Sequence, residues 1–290
     1  MSYKILVLIV ILFVGGGVIL FQKERSFRKE YFSGKKGVKI EDKEVELEGK
    51  ERLEKSNENS EIILTSVYDN YLVNPELKTS WGFGLTIKTP FEEILFDTGG
   101  DSSVLLFNMR KLSIDPKSID KVVISHVHGD HLGGLEGFLK ENSKVKVYIP
   151  SSFPDSVRKM IKSYGAEFVD ISGPSEISKI VFSTGEMYGP PEEQSLVINS
   201  RKGLIVITGC AHPGIVNIVK KVKEMFPQKE VYLVLGGFHH PPEEVIYKLK
   251  ELKVEKVAPS HCSGDEIREL FRKEYKENFI ENGVGKIIEI

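Results

Sequence analysis

Cysteine is scarce in this chain. Two occur in 290 residues, Cys210 and Cys262, and each sits in a turn that also holds a histidine. A disulfide-built scaffold is therefore excluded, and a structural disulfide is not the first reading of the pair. An excess of either charge is also missing. Forty Lys and Arg stand against 42 Asp and Glu, a net charge of −2. Nothing in that balance points to nucleic acid as a partner. There is no internal repeat and no low-complexity tract. With 40% hydrophobic and 28% charged residues, the composition excludes a disordered or collagen-like chain. The length suffices for one large domain or two ordinary ones.

The N-terminal region differs from the rest. Ile5 to Phe21 is an uncharged apolar run of 17 residues, at the short end of the ~17–25 that span a bilayer. No small-x-small cleavage site follows it, so the expectation is an uncleaved transmembrane helix rather than a removed signal peptide. Lys23, Arg25, Arg28, Lys29, Lys35 and Lys36 follow the run. The positive-inside rule then puts the remainder of the chain in the cytoplasm, whereas a conventional signal anchor would export it. The expected organisation is a membrane anchor and basic flank at 1–33, a charged linker at 34–60, and a folded domain at 61–290.

Within that domain short apolar runs predict strands at 62–67, 84–88, 93–96, 121–125, 144–149, 180–183, 195–199, 203–208, 230–235 and 256–258. Apolar spacing near 3.6 predicts helices at 102–111, 130–139, 154–164, 213–226, 242–252 and 265–276. Strands come early in blocks and later alternate with helices. This pattern suggests an α/β sandwich of two mixed sheets with helices outside.

The strongest chemical signal is Ser125-His126-Val127-His128-Gly129-Asp130-His131-Leu132-Gly133-Gly134, which leaves an apolar strand and enters a helix. Three histidines and an aspartate within six positions put imidazole and carboxylate ligands in one small volume. His126 and His128, two apart, project to the same side of an extended segment. Asp130 and His131 open the helix and can face a second ion. The donor set suits zinc first, with iron or manganese as alternatives.

This run is the hallmark of the metallo-β-lactamase superfamily, which the chain resembles from roughly residue 60 onward. The resemblance implies a four-layer αββα sandwich holding two divalent metal ions. His126 and His128 would take the first ion, and Asp130, His131 and His261 the second. Phe96-Asp97-Thr98-Gly99-Gly100 resembles the early aspartate motif, in which Asp97 holds a ligand histidine in the right tautomer. Thr208-Gly209-Cys210 resembles the turn that supplies a bridging Asp or, in some members, Cys. Pro259-Ser260-His261-Cys262 resembles the final histidine motif.

One departure stands out. Residues 189–194, Gly-Pro-Pro-Glu-Glu-Gln, lack the family's middle histidine. His212 lies two positions past Cys210, so in an extended strand end both would point the same way. His212 is thus expected as a ligand, with Cys210 as ligand or close neighbour and Glu193 in reserve. His239 and Glu193 are also candidates to contact substrate, while His240 divides evenly between the site and solvent. Asp69-Asn70, Trp81-Gly82-Phe83, Gly209 to Val216, Gly236-Gly237-Phe238-His239 and His261-Cys262-Ser263-Gly264 resemble one subgroup. It holds metal-dependent hydrolases and proteins similar to a dihydropteridine–ribofuranosylaminobenzene phosphate synthase.

The leading functional expectation is a hydrolase that turns a metal-activated water on an ester, lactone or phosphate. Asp97 and Asp130 are its catalytic carboxylates, with Asp130 taking a proton as the leaving group departs. The partner is a small molecule, anionic if the backbone amides at the helix starts after Pro213 and Gly264 are used. One alternative is a transferase joining a dihydropterin diphosphate to a ribofuranosylaminobenzene phosphate in methanopterin formation. Another is a non-catalytic protein with a degenerate site. A redox di-iron form is disfavoured, since it carries a carboxylate where His128 stands.

Overall fold

The computed structural model describes residues 61–290. The expected anchor at 1–33 and linker at 34–60 lie outside the described residues. Among the described residues no helix is long and apolar enough to cross a membrane.

The first half contains strands β1 (Ile63–Tyr68), β2 (Gly84–Lys88), β3 (Glu93–Phe96) and helix α1 (Ser102–Lys111). Then come β4 (Lys121–Val123), α2 (Gly129–Leu132), α3 (Leu135–Glu141), β5 (Lys146–Pro150), α4 (Asp155–Ser163) and β6 (Glu167–Ile171). The second half begins with β7 (Ser175–Glu176), β8 (Val181–Ser183), β9 (Leu196–Asn199), β10 (Leu204–Thr208) and α5 (Ile215–Met225). It ends with β11 (Val231–Gly237), α6 (Glu244–Glu251), β12 (Lys256–Ser260), α7 (Asp265–Tyr275) and β13 (Ile287–Glu289).

The strands form a seven-stranded sheet, ordered β13-β1-β2-β3-β4-β5-β6, and a six-stranded sheet, ordered β12-β11-β10-β9-β8-β7. Both are mixed: β3 to β6 run parallel, as do β10 to β12, and the other pairs are antiparallel. Side chains alternate across each strand and so build three apolar layers. In β10, Ile205 and Ile207 point between the sheets, where they meet Leu64, Ile87 and Phe96 of the other sheet. Leu204 and Val206 of the same strand point outward, toward Ile218, Val219 and Val222 of α5. On the opposite outer face Val122 and Val147 meet Leu105, Phe138 and Ile161. The result is a four-layer αββα sandwich.

The helix expected at 130–139 is two short helices, broken at Gly133-Gly134. Both glycines are packed against the turn that follows β3. A Cβ on Gly134 would lie 2.1 Å from the Thr98 carbonyl oxygen, and one on Gly133 2.6 Å from that of Gly100. Only glycine lets the two backbones approach so closely. Strands β6, β7 and β13 were not expected from the sequence. β6 and β13 carry charged residues among their apolar ones, and β7 has two residues, too few for a pattern.

Candidate metal centre

The chemistry-bearing residues gather where strands end. Asp69 and Asn70 follow β1, Asp97 follows β3 and the histidine loop follows β4. Cys210 and His212 follow β10, His239 follows β11 and His261 follows β12. Parallel strands deliver these ends to one edge of the sandwich. The turns are tight: Asp97, Ala211, His239, His240 and His261 all have left-handed backbones, with φ between 43° and 62°. Such strain in non-glycine residues clusters at functional sites.

Asp97 organises the histidine loop. It is fully buried. Its Oδ1 accepts the Ser125 backbone N–H at 2.7 Å, and its Oδ2 accepts the Ser125 hydroxyl at 2.7 Å. The same Oδ2 lies 2.7 Å from Nδ1 of His131. Burial pushes this carboxyl up to about 7, against the pull of His126 and the Ser125 donors. With its hydroxyl proton given to Asp97, Ser125 Oγ accepts from His126 Nδ1 at 2.9 Å. These contacts assign the protons of His126 and His131 to Nδ1 and leave both Nε2 atoms as lone pairs.

Those lone pairs converge. His131 Nε2 lies 3.2 Å from Cys210 Sγ and 3.2 Å from His261 Nε2. His261 is held from behind, its Nδ1 2.9 Å from Asn70 Oδ1. Asp130 Oδ2 stands 3.3 Å from His261 Nε2 and 3.7 Å from His131 Nε2. Burial first, and then the neighbouring His261, lower His131 to about 3. Burial also lowers His261, but the Asp130 hydrogen bond and nearby acids outweigh it and raise the net value. Burial raises Asp130, and His261 with His131 more than reverses that, holding it well below the usual carboxylate range. His131 is thus a neutral imidazole and Asp130 an ionised carboxylate, the protonation states in which both can ligate a metal ion.

A second cluster shares Cys210. Ligand atoms of His126, Cys210 and His212 lie within 4.8 Å of one another, and His128 Nδ1 is 3.1 Å from His126 Nε2. Burial, with repulsion from His131, lowers His126 to about 3, so it too is a neutral donor. Contact with the Cys262 sulfur and burial push the Cys210 thiol above its ordinary range. Holding it as a thiolate therefore calls for a cation. Four imidazoles, one carboxylate and a shared thiol fit divalent ions such as zinc in chemistry and spacing, with His128 the fifth imidazole at the rim. Cys210 is common to both groups.

The structure corrects the expected role of Glu193. It neither joins a ligand group nor faces the opening, being fully buried. Its Oε1 accepts the backbone N–H groups of Gly209, Cys210 and Ala211 at 2.9–3.1 Å. Its Oε2 accepts both the backbone N–H and the Nδ1 of His212, each at 2.8 Å. Burial alone would raise its pKa, but these donors and His126 hold it at about 2. The segment between Cys210 and His212 is not extended either, since Ala211 has φ 62°. The Glu193 clamp, rather than strand alternation, aims His212.

His239 is exposed, with its ring 4.6 Å from that of His212, and its ligand atom falls within 4.8 Å of those of Cys210 and Cys262. His240 falls in no such ligand group among the described residues. The helix start after Gly264 makes a poor anion site, because Asp265 and Glu266 fill the first turn of α7. Four contributors received no role from sequence: Ser125, Asp69, Asn70 and Cys262. Asp69 accepts the backbone N–H of His261 at 3.3 Å and so shapes its left-handed turn. The Asp69-Asn70 pair was visible as a motif, but nothing in it tells that it meets His261, 191 positions later.

Fold and site together define an αββα protein with a candidate metal centre at one edge of its sheets. The sequence model described as the metallo-β-lactamase superfamily matches residues 89–261, and the chain belongs to that superfamily. It is 32% identical over 247 residues to the 7,8-dihydropterin-6-methyl-4-(β-D-ribofuranosyl)-aminobenzene-5′-phosphate synthase of Methanocaldococcus jannaschii, covering 68% of this chain and 84% of that protein. An uncharacterized protein of the same organism is 30% identical over 246 residues, covering 72% and 93%. Among solved structures, Tm1679, described as a metal-dependent hydrolase of the β-lactamase superfamily, is similar with a TM-score of 0.67 and 28% identity. That match covers 79% of this chain and 99% of Tm1679.

Proposed function

We propose that this protein is a metal-dependent hydrolase of an ester, lactone or phosphate, with two divalent ions bound between the sheets' ends. The observation that carries the reading is the convergence of His261 Nε2 and Cys210 Sγ on His131 Nε2, each at 3.2 Å, with each imidazole anchored at its far nitrogen. When bound, such ions supply Lewis acidity and a hydroxide nucleophile at neutral pH.

The chain's own residues do the rest. His126, His128, His212 and Cys210 form one ligand set; Asp130, His131, His261 and Cys210 form the other. Asp97, Asn70 and Glu193 fix the ring orientation and tautomer of the histidines they touch. Asp130, 3.3 Å from His261 Nε2, serves as an anionic ligand. His239, exposed at the rim beside His212, is positioned to hand a proton to a departing group. Trp81, 56% exposed with its ring 4.9 Å from that of His261, offers a flat wall for a substrate ring.

The second reading uses the same centre to displace diphosphate from a dihydropterin diphosphate by a ribofuranosylaminobenzene phosphate. The 32% identical synthase supports it. The non-catalytic reading loses its main support, because His212 offers an imidazole in place of the missing middle histidine.

The test is to incubate the metal-loaded protein with phosphoester, lactone and pterin diphosphate substrates, with and without the ribofuranosylaminobenzene phosphate. Turnover without acceptor supports hydrolysis. Release of diphosphate only in the presence of acceptor establishes transfer. A fully metallated protein inert to the whole panel would overturn both.

A further inference from the structure

A cavity of about 370 Å³ opens beside the candidate centre, between α5 and the segment from Phe238 into α6. His212 and His239 belong to its wall, so it is continuous with the site. Lys220 on α5 and Lys248 on α6 enter from opposite helices, with His240 and Asn217 completing the polar lining. No carboxylate lines it. The acids lie beyond His240, where Glu243, Asp265 and Glu266 border a separate cavity of about 390 Å³.

The two lysines differ from their neighbours. Lys221 pairs with Glu224 at 3.9 Å, Lys223 with Glu230 at 3.3 Å and Lys250 with Glu274 at 2.6 Å. Lys220 and Lys248 make no ion pair among the described residues. Both lysines are exposed at the cavity's border, and a site edged by two unpaired ammonium groups and no carboxylate favours an anionic occupant. The remaining wall is apolar, built from Ile215, Val216, Phe238 and Val245 together with two prolines. Such a wall suits a small organic molecule that carries the charge, more than a free ion.

We propose that this cavity is a phosphate-binding subsite, in which Lys220 and Lys248 hold a phosphate group of the substrate while its reacting bond lies at the metal centre. Two ammonium groups match the double charge of a phosphate monoester, where a carboxylate carries one. The proposal deepens the functional reading above and rests on it for the position of the reacting bond. Lys220 and Lys248 are positioning residues that set substrate class; they take no part in bond breaking.

The test is binding, so that it stands apart from turnover. Phenyl phosphate and benzoate are titrated calorimetrically into the zinc-loaded full chain and into its Lys220→Gln/Lys248→Gln variant. Lys221→Gln, altering the paired neighbour, serves as the control. The expected result is about a tenfold loss of phenyl phosphate affinity for each charge-assisted bond removed, with zinc content unchanged. Benzoate binding should change several-fold less, and the control should match the parent. Unchanged phenyl phosphate affinity in the double variant would overturn the subsite. An equal loss for benzoate would overturn its assignment to phosphate in favour of a carboxylate. Absence of turnover on every substrate, with the binding difference intact, would sink the hydrolase reading and leave the subsite standing.

Discussion

At the residue scale, the candidate centre depends on groups that touch no ion. Glu193 is the sharpest case. One buried carboxylate gathers four backbone N–H groups and one imidazole. Replacing it with Gln puts an amide donor among donors. Glu193→Gln is expected to cost about 2–4 kcal/mol in stability. It should also lower bound metal from about two ions per chain toward one, because His212 loses its aim. Metal analysis beside thermal melts checks this, and full metal retention would reject the clamp. His212→Ala should lose the same ion with a smaller effect on melting, since the loop keeps its other donors. Tyr275 makes a separate prediction. Its hydroxyl is buried without a partner, and burial raises its pKa above the ordinary value of 10.0. A raised folded pKa means the neutral form stabilises the fold fully below about pH 10, and that contribution fades as pH rises further. Tyr275→Phe should therefore match or exceed the parent in melting temperature at pH 7 and lose less stability between pH 10 and 11.

At the element scale, short turns decide where side chains arrive. β4 has three residues, yet the loop after it carries the histidine run because Asp97, from the neighbouring strand end, binds Ser125 twice. The α2–α3 break brings the histidine helix onto the turn after β3, where the Thr98 backbone N–H donates to the His131 carbonyl at 2.8 Å. Gly134→Ala would drive a methyl into the Thr98 carbonyl, and neither backbone has room to yield. A cost of about 1–3 kcal/mol is expected, with weaker metal binding because Asp97 and His131 shift together. Denaturant titration and metal affinity should move in parallel. A stable variant with unaltered affinity would show that the contact is incidental. Most strands and the main helices were legible from the sequence, because alternation and 3.6-residue spacing are local. The helix break was not: Gly133-Gly134 reads as a weak point, and only the opposing backbone explains why it must be one.

At the scale of the whole molecule, three apolar layers lie within residues 61–290. That segment is expected to fold without residues 1–60 and to bind the same number of ions as the full chain. Chelation should then lower its melting temperature, in proportion to how far the metal had favoured the folded state. Aggregation of the segment, where the full chain in detergent stays dispersed, would show that the first 60 residues pack on the domain. Labelling of an engineered thiol within 34–60 from either side of the membrane tests the expected cytoplasmic orientation.

The sequence by itself determined the layered α/β architecture, the superfamily resemblance and most of the candidate ligands. Those signals are local: a strand's alternation, a helix's period, four ligand-type residues packed into six positions. It also singled out His212, on a premise of extended backbone that Ala211 does not obey. Tertiary structure alone decided what orients the ligands. Asn70 meets His261, Glu193 meets the 209–212 turn, and Asp97 meets both Ser125 and His131. Lys220 and Lys248 come to share one cavity only because α5 and α6 pack side by side. Each of these pairings joins residues far apart in the chain. A hydrogen bond is specified by distance and direction in space, and neither is written in the spacing of residues along a sequence.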